Sequence, residues 1–290
     1  MSGEGMNQGK HIPGPGVTAL LRHARLSLLV SLIVLTAGAW GLTLYQSLTM
    51  SASTGMIDSG QPSAAMDGMD MGGTSDAGFS IVGAGAFIVV WTVMMAAMML
   101  PAAAPMILTF AQAQARRGRA VFIPTWVFIA GYLMVWLGAG LLVYPVVQWG
   151  PELASRSSVR GFADWAPFAL AGTLIIAGLY QFTPLKRLCL RHCRSPLAFV
   201  ALHWREGRAG ALWMGARHGL YCLGCCWALF GILVAAGVMN LAWMLLLTLL
   251  VFAEKVLPLG QRLSTIIGLA LVAGGVAVAA GTLPMSWMAA

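Results

Sequence analysis

The stretch "WTVMMAAMMLPAAAPM", residues Trp91 to Met106, decides the fold of this chain. It carries no charged residue and lies within an apolar run long enough to cross a bilayer as a helix, which takes about 20 residues. Its first methionines are Met94, Met95, Met98 and Met99. Pro101 and Pro105 cannot donate a backbone N–H, so each leaves the carbonyl four residues earlier without its helical partner, and we expect the helix to break there. The stretch therefore predicts a membrane span that places soft sulfur ligands beside an opened helix.

Composition supports the same class of protein. Of the 290 residues, 59% are hydrophobic and 9% are charged, whereas soluble domains carry about 25% charged residues. We therefore predict an all-α integral membrane protein, a bundle of about seven transmembrane helices. The candidate spans are 26–47, 80–110, 122–147, 166–184, 219–239, 241–259 and 264–283. The first is longer than the roughly 7–15 apolar residues of a signal peptide, so we interpret it as a retained anchor.

Basic residues predict the orientation of these spans. Loops next to membrane spans are enriched in Lys and Arg on the cytoplasmic side. If the N-terminus is cytoplasmic, all 17 basic residues except Arg156 and Arg160 fall on that side. The chain is thus predicted to be N-in and C-out. Its net charge of +8 then reflects topology and anionic lipid headgroups as partners, and no motif indicates binding of nucleic acid.

The chain divides into four predicted regions, all attached to one bundle. They are a cytoplasmic tail (1–25), a membrane anchor helix (26–47), an extracytoplasmic loop rich in Met and Asp (48–79) and a polytopic metal-binding domain (80–290). Within the last region, 183–217 mixes aromatic residues with arginines, which predicts an interfacial segment on the cytoplasmic face. The small residues of the last span predict close helix packing.

The segment "GLYCLGCCWALF" contains the main candidate metal ligands. Residues at i, i+4 and i+7 share a helix face, so His218, Cys222 and either Cys225 or Cys226 are expected to form one stripe. A single buried cysteine is usually only a small apolar residue, but three in five positions beside a histidine favour metal ligation. A C-x-x-C pair is also a redox motif. In the reducing cytoplasmic half of the membrane, a structural disulfide is not expected.

Further candidate ligands lie at the same predicted depth. The four methionines of the opening stretch form a thioether surface at i, i+4 spacing, although methionine also serves as a gap-filler in helix packing. Thiolate and thioether together select Cu(I). Cys189 and Cys193 form an i, i+4 pair at the cytoplasmic edge. Glu254 could be a hard ligand, a proton acceptor or the partner of an arginine. Lys255 is expected to extend towards the headgroups.

The extracytoplasmic loop carries a second group of candidate ligands, suited to recruiting metal. They are Met66, Asp67, Met69, Asp70 and Met71. No phosphate-binding loop is found, which argues against ATP-driven pumping within this chain.

Several of these blocks together resemble a known family. They are "WTVMMAAMMLPAAAPM", "YQFTPLKRLCLRHCRSP", "GLYCLGCCWALF", "GVMNLAWM" and "EKVLPLG", spanning about residues 85–262. The chain resembles a bacterial family of predicted metal-binding integral membrane proteins, a domain of unknown function, some of whose members are labelled copper chaperones. The resemblance implies that the candidate ligands of the membrane domain, with Met239, Asn240 and Lys255, are motif positions. The anchor helix and the Met/Asp loop fall outside these blocks.

The sequence thus predicts a multi-pass protein of the bacterial inner membrane that binds Cu(I) and passes it across the membrane or to a partner. That partner would be a copper donor, a copper acceptor or a membrane enzyme complex. Binding and transfer are favoured over enzymatic activity. Two alternatives stay open: a copper- or dithiol-dependent membrane oxidoreductase, and a structural or assembly subunit of a membrane complex.

Overall fold

A computed structural model describes residues 15–54, 81–117, 121–156, 162–236 and 241–282. This part of the chain is helical throughout and contains no strand, which confirms the all-α class. The helices are α1 (Pro15–Thr54), α2 (Ile81–Arg116), α3 (Phe122–Arg156), α4 (Phe162–Tyr180), α5 (Pro184–Arg194), α6 (Pro196–His203), α7 (Gly207–Ala236), α8 (Leu241–Val256) and α9 (Gly260–Ala279).

Five of these helices, α1, α2, α3, α7 and α9, are long and apolar enough to cross a membrane. Helices α4 and α5 are bent by 66° relative to each other and would supply a sixth crossing if they formed one broken span. Helix α8 has 16 residues, fewer than the roughly 20 that an untilted crossing requires. The helices are consistent with a multi-pass membrane protein. The count of seven spans and the N-in orientation stay predictions.

Helix α2 corrects the expectation that two prolines break the chain. It continues from Ile81 to Arg116 with both prolines inside it. The carbonyl of Ala97, which Pro101 deprives of a helical donor, accepts a hydrogen bond from the Trp40 indole of α1 at 3.2 Å. In an apolar medium each unsatisfied backbone group costs several kcal/mol, so a hydrogen bond from another helix to this carbonyl is strongly favoured. The prediction that the prolines break the helix was wrong. At Pro101, a donor from α1 replaces the missing N–H.

Glycines set the close approach of α3 to α7. A Cβ atom at Gly131 would overlap the carbonyl oxygen of Leu212, and one at Gly215 would overlap that of Phe128. Any larger residue at either position would push the two helices apart. This tight contact brings the middle of α3 against the part of α7 that carries the cysteines.

The last helix packs as its small residues predicted. A Cβ atom at Gly275 of α9 would lie 2.7 Å from Ile175 Cγ1 and 2.8 Å from the Ala171 carbonyl oxygen of α4. The expected packing role of this span is thereby confirmed. Helix α9 thus stacks on α4, which itself packs against α7.

The segment predicted to be interfacial, 183–217, forms the short helices α5 and α6 and the first turns of the candidate span α7. Thr183 caps α5 by accepting a hydrogen bond from the Lys186 backbone N–H. Leu185 and Leu188 on α5 and Leu197 on α6 are exposed. One face of each helix is therefore apolar and open, as an interfacial segment requires.

Candidate functional site

The cysteines of α7 lie in the buried core of the bundle. Cys222, Cys225 and Cys226 are buried, and the Cys225 and Cys226 thiols donate to the Cys222 carbonyl at 3.1 and 2.9 Å. All five cysteines of the chain are described, and all five are free. The expectation that these thiols stay reduced in the cell remains a prediction.

Cys222 is contacted from two neighbouring helices. The Lys255 ammonium of α8 donates to Cys222 Sγ at 2.8 Å, and the Tyr132 hydroxyl of α3 lies 3.0 Å from the same sulfur. An ammonium has only donors, so the sulfur is the acceptor in the first contact. Lys255 is 8% exposed and points into the bundle, which corrects the expectation that it extends to the headgroups. Cys222 therefore sits in a polar environment that no single helix could supply.

Helix α5 brings the second cysteine pair to α7. Cys193 lies near Cys225, close enough for the two thiols to interact electrostatically. Cys189 packs against Gly224, with its sulfur 2.8 Å from where a Cβ atom of that glycine would lie. The structure thus places both cysteines of "CLRHC" beside the cysteines of α7, a proximity that the sequence left open.

A buried ion pair joins α5 to α8 next to these thiols. The Lys186 ammonium lies 2.9 Å from Glu254 Oε1 and 2.7 Å from Oε2, and the two side chains are 1% and 2% exposed. Glu254 is therefore the partner of a lysine, where the sequence suggested an arginine as one alternative. Lys186 was missed, although it shares one face of α5 with Cys189 and Cys193 at i, i+3 and i+7.

His218 lies within an aromatic box one turn before Cys222. Its ring stacks on Tyr132 and Phe128 at centroid distances of 5.7 and 6.3 Å and meets Phe199 edge-on at 5.6 Å. The side chain is buried, and its Nδ1 has no hydrogen-bond partner among the described residues. An unpaired buried nitrogen is costly, so this position has an unused ligand atom.

The four methionines of α2 are also core residues. Met94, Met95, Met98 and Met99 are at most 1% exposed and belong to the same continuous core as the cysteines. Helix α2 packs against α1, α3, α6 and α8, whereas α7 packs chiefly against α3, α4 and α5. The two sulfur groups therefore share one core, and α3 and α8 contact both of the helices that carry them.

The described part of the chain holds no preformed cluster of histidine, cysteine and carboxylate ligands. Within the described residues, no three His, Cys, Asp or Glu side chains converge closely enough to hold a metal ion. The reason is visible in the local contacts, because the α7 thiols turn to the Cys222 carbonyl while His218 turns into its aromatic box. The assignment of metal ligands stays a prediction.

Two groups of candidate residues lie outside the described part of the chain. The first is the Met/Asp group of the extracytoplasmic loop, Met66, Asp67, Met69, Asp70 and Met71. The second is the motif pair Met239 and Asn240.

The geometry defines a class of protein: a helical protein with five candidate membrane spans, whose core combines free thiols, thioethers and a buried ion pair. The sequence also matches a known protein family. Residues 88–278 match the model of the family PpoB2, described as copper chaperone, and the chain belongs to this family. The match begins after α1 and the Met/Asp loop, as the family resemblance implied. No curated protein and no solved structure matches the chain.

Proposed function

We propose that this protein resides in the bacterial inner membrane, binds Cu(I) as cargo through methionine and cysteine sulfur, and transfers it across the membrane or to a partner. Membership of a family described as copper chaperone supports copper handling. The observation that carries the proposal furthest is that α5 packs its cysteines against those of α7, with Cys189 against Gly224 and Cys193 near Cys225. Thiolates and thioethers prefer Cu(I) to harder cations.

Lys255 contacts one of the proposed copper ligands, Cys222. Its ammonium occupies the position beside Cys222 Sγ that a bound cation would compete for. Thiolate is the form of cysteine that binds metal, and a neighbouring ammonium favours it. In our proposal, Lys255 keeps Cys222 ready for copper and moves aside when the ion arrives.

The route of the ion is part of the proposal. With seven spans and an N-in orientation, Met66, Asp67, Met69, Asp70 and Met71 would recruit copper outside. The buried Met94 group and the α7 cysteines would hold it, and Cys189 and Cys193 would exchange it with a donor or acceptor protein. Glu254 would help to hold charge in the site through Lys186, since both of its carboxylate oxygens already contact that lysine.

Elemental analysis of the detergent-purified full chain tests the proposal, with X-ray absorption identifying the ligand atoms. We expect about one copper per chain in a sulfur-rich shell, lost when Cys222, Cys225 and Cys226 are replaced by serine. The matched control replaces Met214 and Met244 by leucine, because both are buried methionines outside the proposed ligand set. Equal copper in the wild type and the cysteine variant would overturn the assignment.

One observation favours a second function, a dithiol oxidoreductase. The proximity of Cys193 to Cys225 would allow the two thiols to form a disulfide, giving two electrons and two protons to an oxidant. This function predicts a reversible disulfide that cycles during turnover in protein without copper. A thiol pair that stays reduced while copper is bound and released would exclude it.

A further inference from the structure

A cleft of about 260 Å³ lies between the turn that joins α4 to α5 and the start of α9. Its lining consists of Gln181, Phe182, Arg187, Arg191, Gln261 and Thr265. None of these residues belongs to the proposed copper site. The cleft is therefore a separate candidate binding site.

The charge of the lining is positive. Arg187 and Arg191 are one helical turn apart on the exposed face of α5, so both guanidinium groups reach the same side. No acidic residue is among the lining residues. Guanidinium groups offer paired donors that match the oxygens of phosphate. These features favour the binding of an anion in the cleft.

The start of α9 adds to this preference. Helix α9 begins at Gly260, has no acidic residue in its first turn, and its N-cap residue Leu259 makes no side-chain capping bond. The N-terminus of a helix carries a partial positive charge and backbone N–H groups without helical partners. The cleft includes Gln261 and Thr265 from the first two turns, so it opens at this positive end.

A buried amide provides an independent indication of a ligand. Gln181 is 3% exposed, and its Oε1 accepts a hydrogen bond from Ser264 Oγ at 3.0 Å. Its Nε2 is buried and has no hydrogen-bond partner in the described residues. The unpaired N–H group thus belongs to a residue that lines the cleft, and an unsatisfied buried donor costs about 1–3 kcal/mol.

The position of the cleft relative to the candidate spans matches the depth of lipid phosphate groups. It lies at the first residues of the candidate span Gly260–Ala279. The neighbouring Leu185, Leu188 and Ile266 are exposed apolar side chains of the kind that contact lipid. The end of a span is the depth at which phosphate groups of lipids are found.

We propose that this cleft binds a phosphate group, held by Arg187 and Arg191, the Gln181 amide and the N-terminus of α9. The group would come from an anionic lipid headgroup or from a soluble phosphate ester, which share this chemistry. The proposal does not depend on copper binding. It assigns the cleft a role in anchoring the bent α4–α5 connection at the membrane surface.

Binding to the detergent-purified full chain tests the proposal, measured by native mass spectrometry and by the shift of the thermal midpoint. The probes are dioleoylphosphatidylglycerol, zwitterionic dioleoylphosphatidylcholine and inorganic phosphate. The cleft variant is R187Q/R191Q. The matched control, R205Q/R208Q, removes the same charge from exposed arginines outside the lining.

For phosphatidylglycerol, we expect the cleft variant to raise the dissociation constant by roughly tenfold or more, since charge-assisted hydrogen bonds are lost. The control should change it by less than about twofold, as exposed charges contribute little. Gln181→Met should also weaken binding, which keeps the test decisive if the arginine variant is poorly folded. Copper content should match the wild type in all variants.

The arms of the experiment separate the two sources. Binding of phosphatidylglycerol that depends on the cleft, without binding of inorganic phosphate, would identify a lipid headgroup. Binding of inorganic phosphate with the same dependence would identify a soluble ester. The proposal would be overturned if the cleft variant and the control weakened lipid binding equally. It would also be overturned if neither the arginine change nor the Gln181 change affected binding.

Discussion

Lys255 and Cys222, 33 residues apart in the chain, are joined by a hydrogen bond of 2.8 Å in the interior of the bundle. The residue before Lys255 points elsewhere, since Glu254 contacts Lys186 of α5. Successive residues of an α-helix point about 100° apart, so one turn of α8 reaches both α5 and α7. The helices that carry all five cysteines are thus held together by the charged pair of a third helix.

The ion pair between Lys186 and Glu254 should be essential for stability. Glu254→Gln leaves a buried ammonium without its anion, and breaking such a pair costs about 3–5 kcal/mol. We expect a clearly lower thermal midpoint in detergent. The double variant Lys186→Met/Glu254→Leu should recover much of the loss, because it leaves no unpaired charge. A single variant as stable as the wild type would show that the pair is not closed in the membrane.

Trp40 and Ala97 offer a test by double substitution. Trp40→Phe removes the indole donor and leaves the Ala97 carbonyl unsatisfied, at a cost of about 1–3 kcal/mol. Pro101→Ala restores a backbone N–H to the same carbonyl. The combined variant should therefore lose less thermal stability than Trp40→Phe alone. Additive losses would rule out the proposed compensation.

The methionines of α2 can be separated into packing and ligand roles. Replacing Met94, Met95, Met98 and Met99 by leucine roughly conserves volume, and such swaps usually cost less than about 1.5 kcal/mol each. We expect a folded protein whose copper retention against a competing chelator falls. The Met214→Leu/Met244→Leu variant should retain copper like the wild type. If both variants behave alike, the α2 methionines serve packing only.

The proximity of Cys193 to Cys225 predicts a selective cross-link. Treatment of the metal-free protein with diamide should join these two thiols, because they lie near each other across α5 and α7. Peptide mapping by mass spectrometry would identify the linked pair, with Cys193→Ser as the control. Bound Cu(I) should protect against the reaction. Cross-linking that prefers Cys189 would contradict the observed arrangement of α5.

The helical class followed from the sequence because long apolar runs without charge have few other stable structures in a membrane. The run predicted at 80–110 corresponds to α2 at Ile81–Arg116. Its continuity through Pro101 did not follow, since the compensating donor, Trp40, lies 57 residues from Ala97. Local rules describe what proline removes, and only the packing of α1 on α2 supplies the replacement.

The candidate site shows the same division between local and long-range information. The clustering of Cys222, Cys225 and Cys226 was readable from spacing alone. The inward direction of Lys255 was not, because the rotation of α8 depends on its neighbours. Lys186 could have been found, since it continues the face formed by Cys189 and Cys193.

The hydrogen bond from Trp40 gives α1 a structural role that its apolar composition alone does not indicate. The family match starts at residue 88, so α1 looks like an exchangeable anchor. Yet its indole completes the backbone of a helix inside the matched region. Exchanging α1 for another hydrophobic segment of equal length would keep the protein in the membrane and still leave the methionine helix incomplete. The matched residues 88–278 therefore lack one group that completes their own backbone, the indole donor of α1.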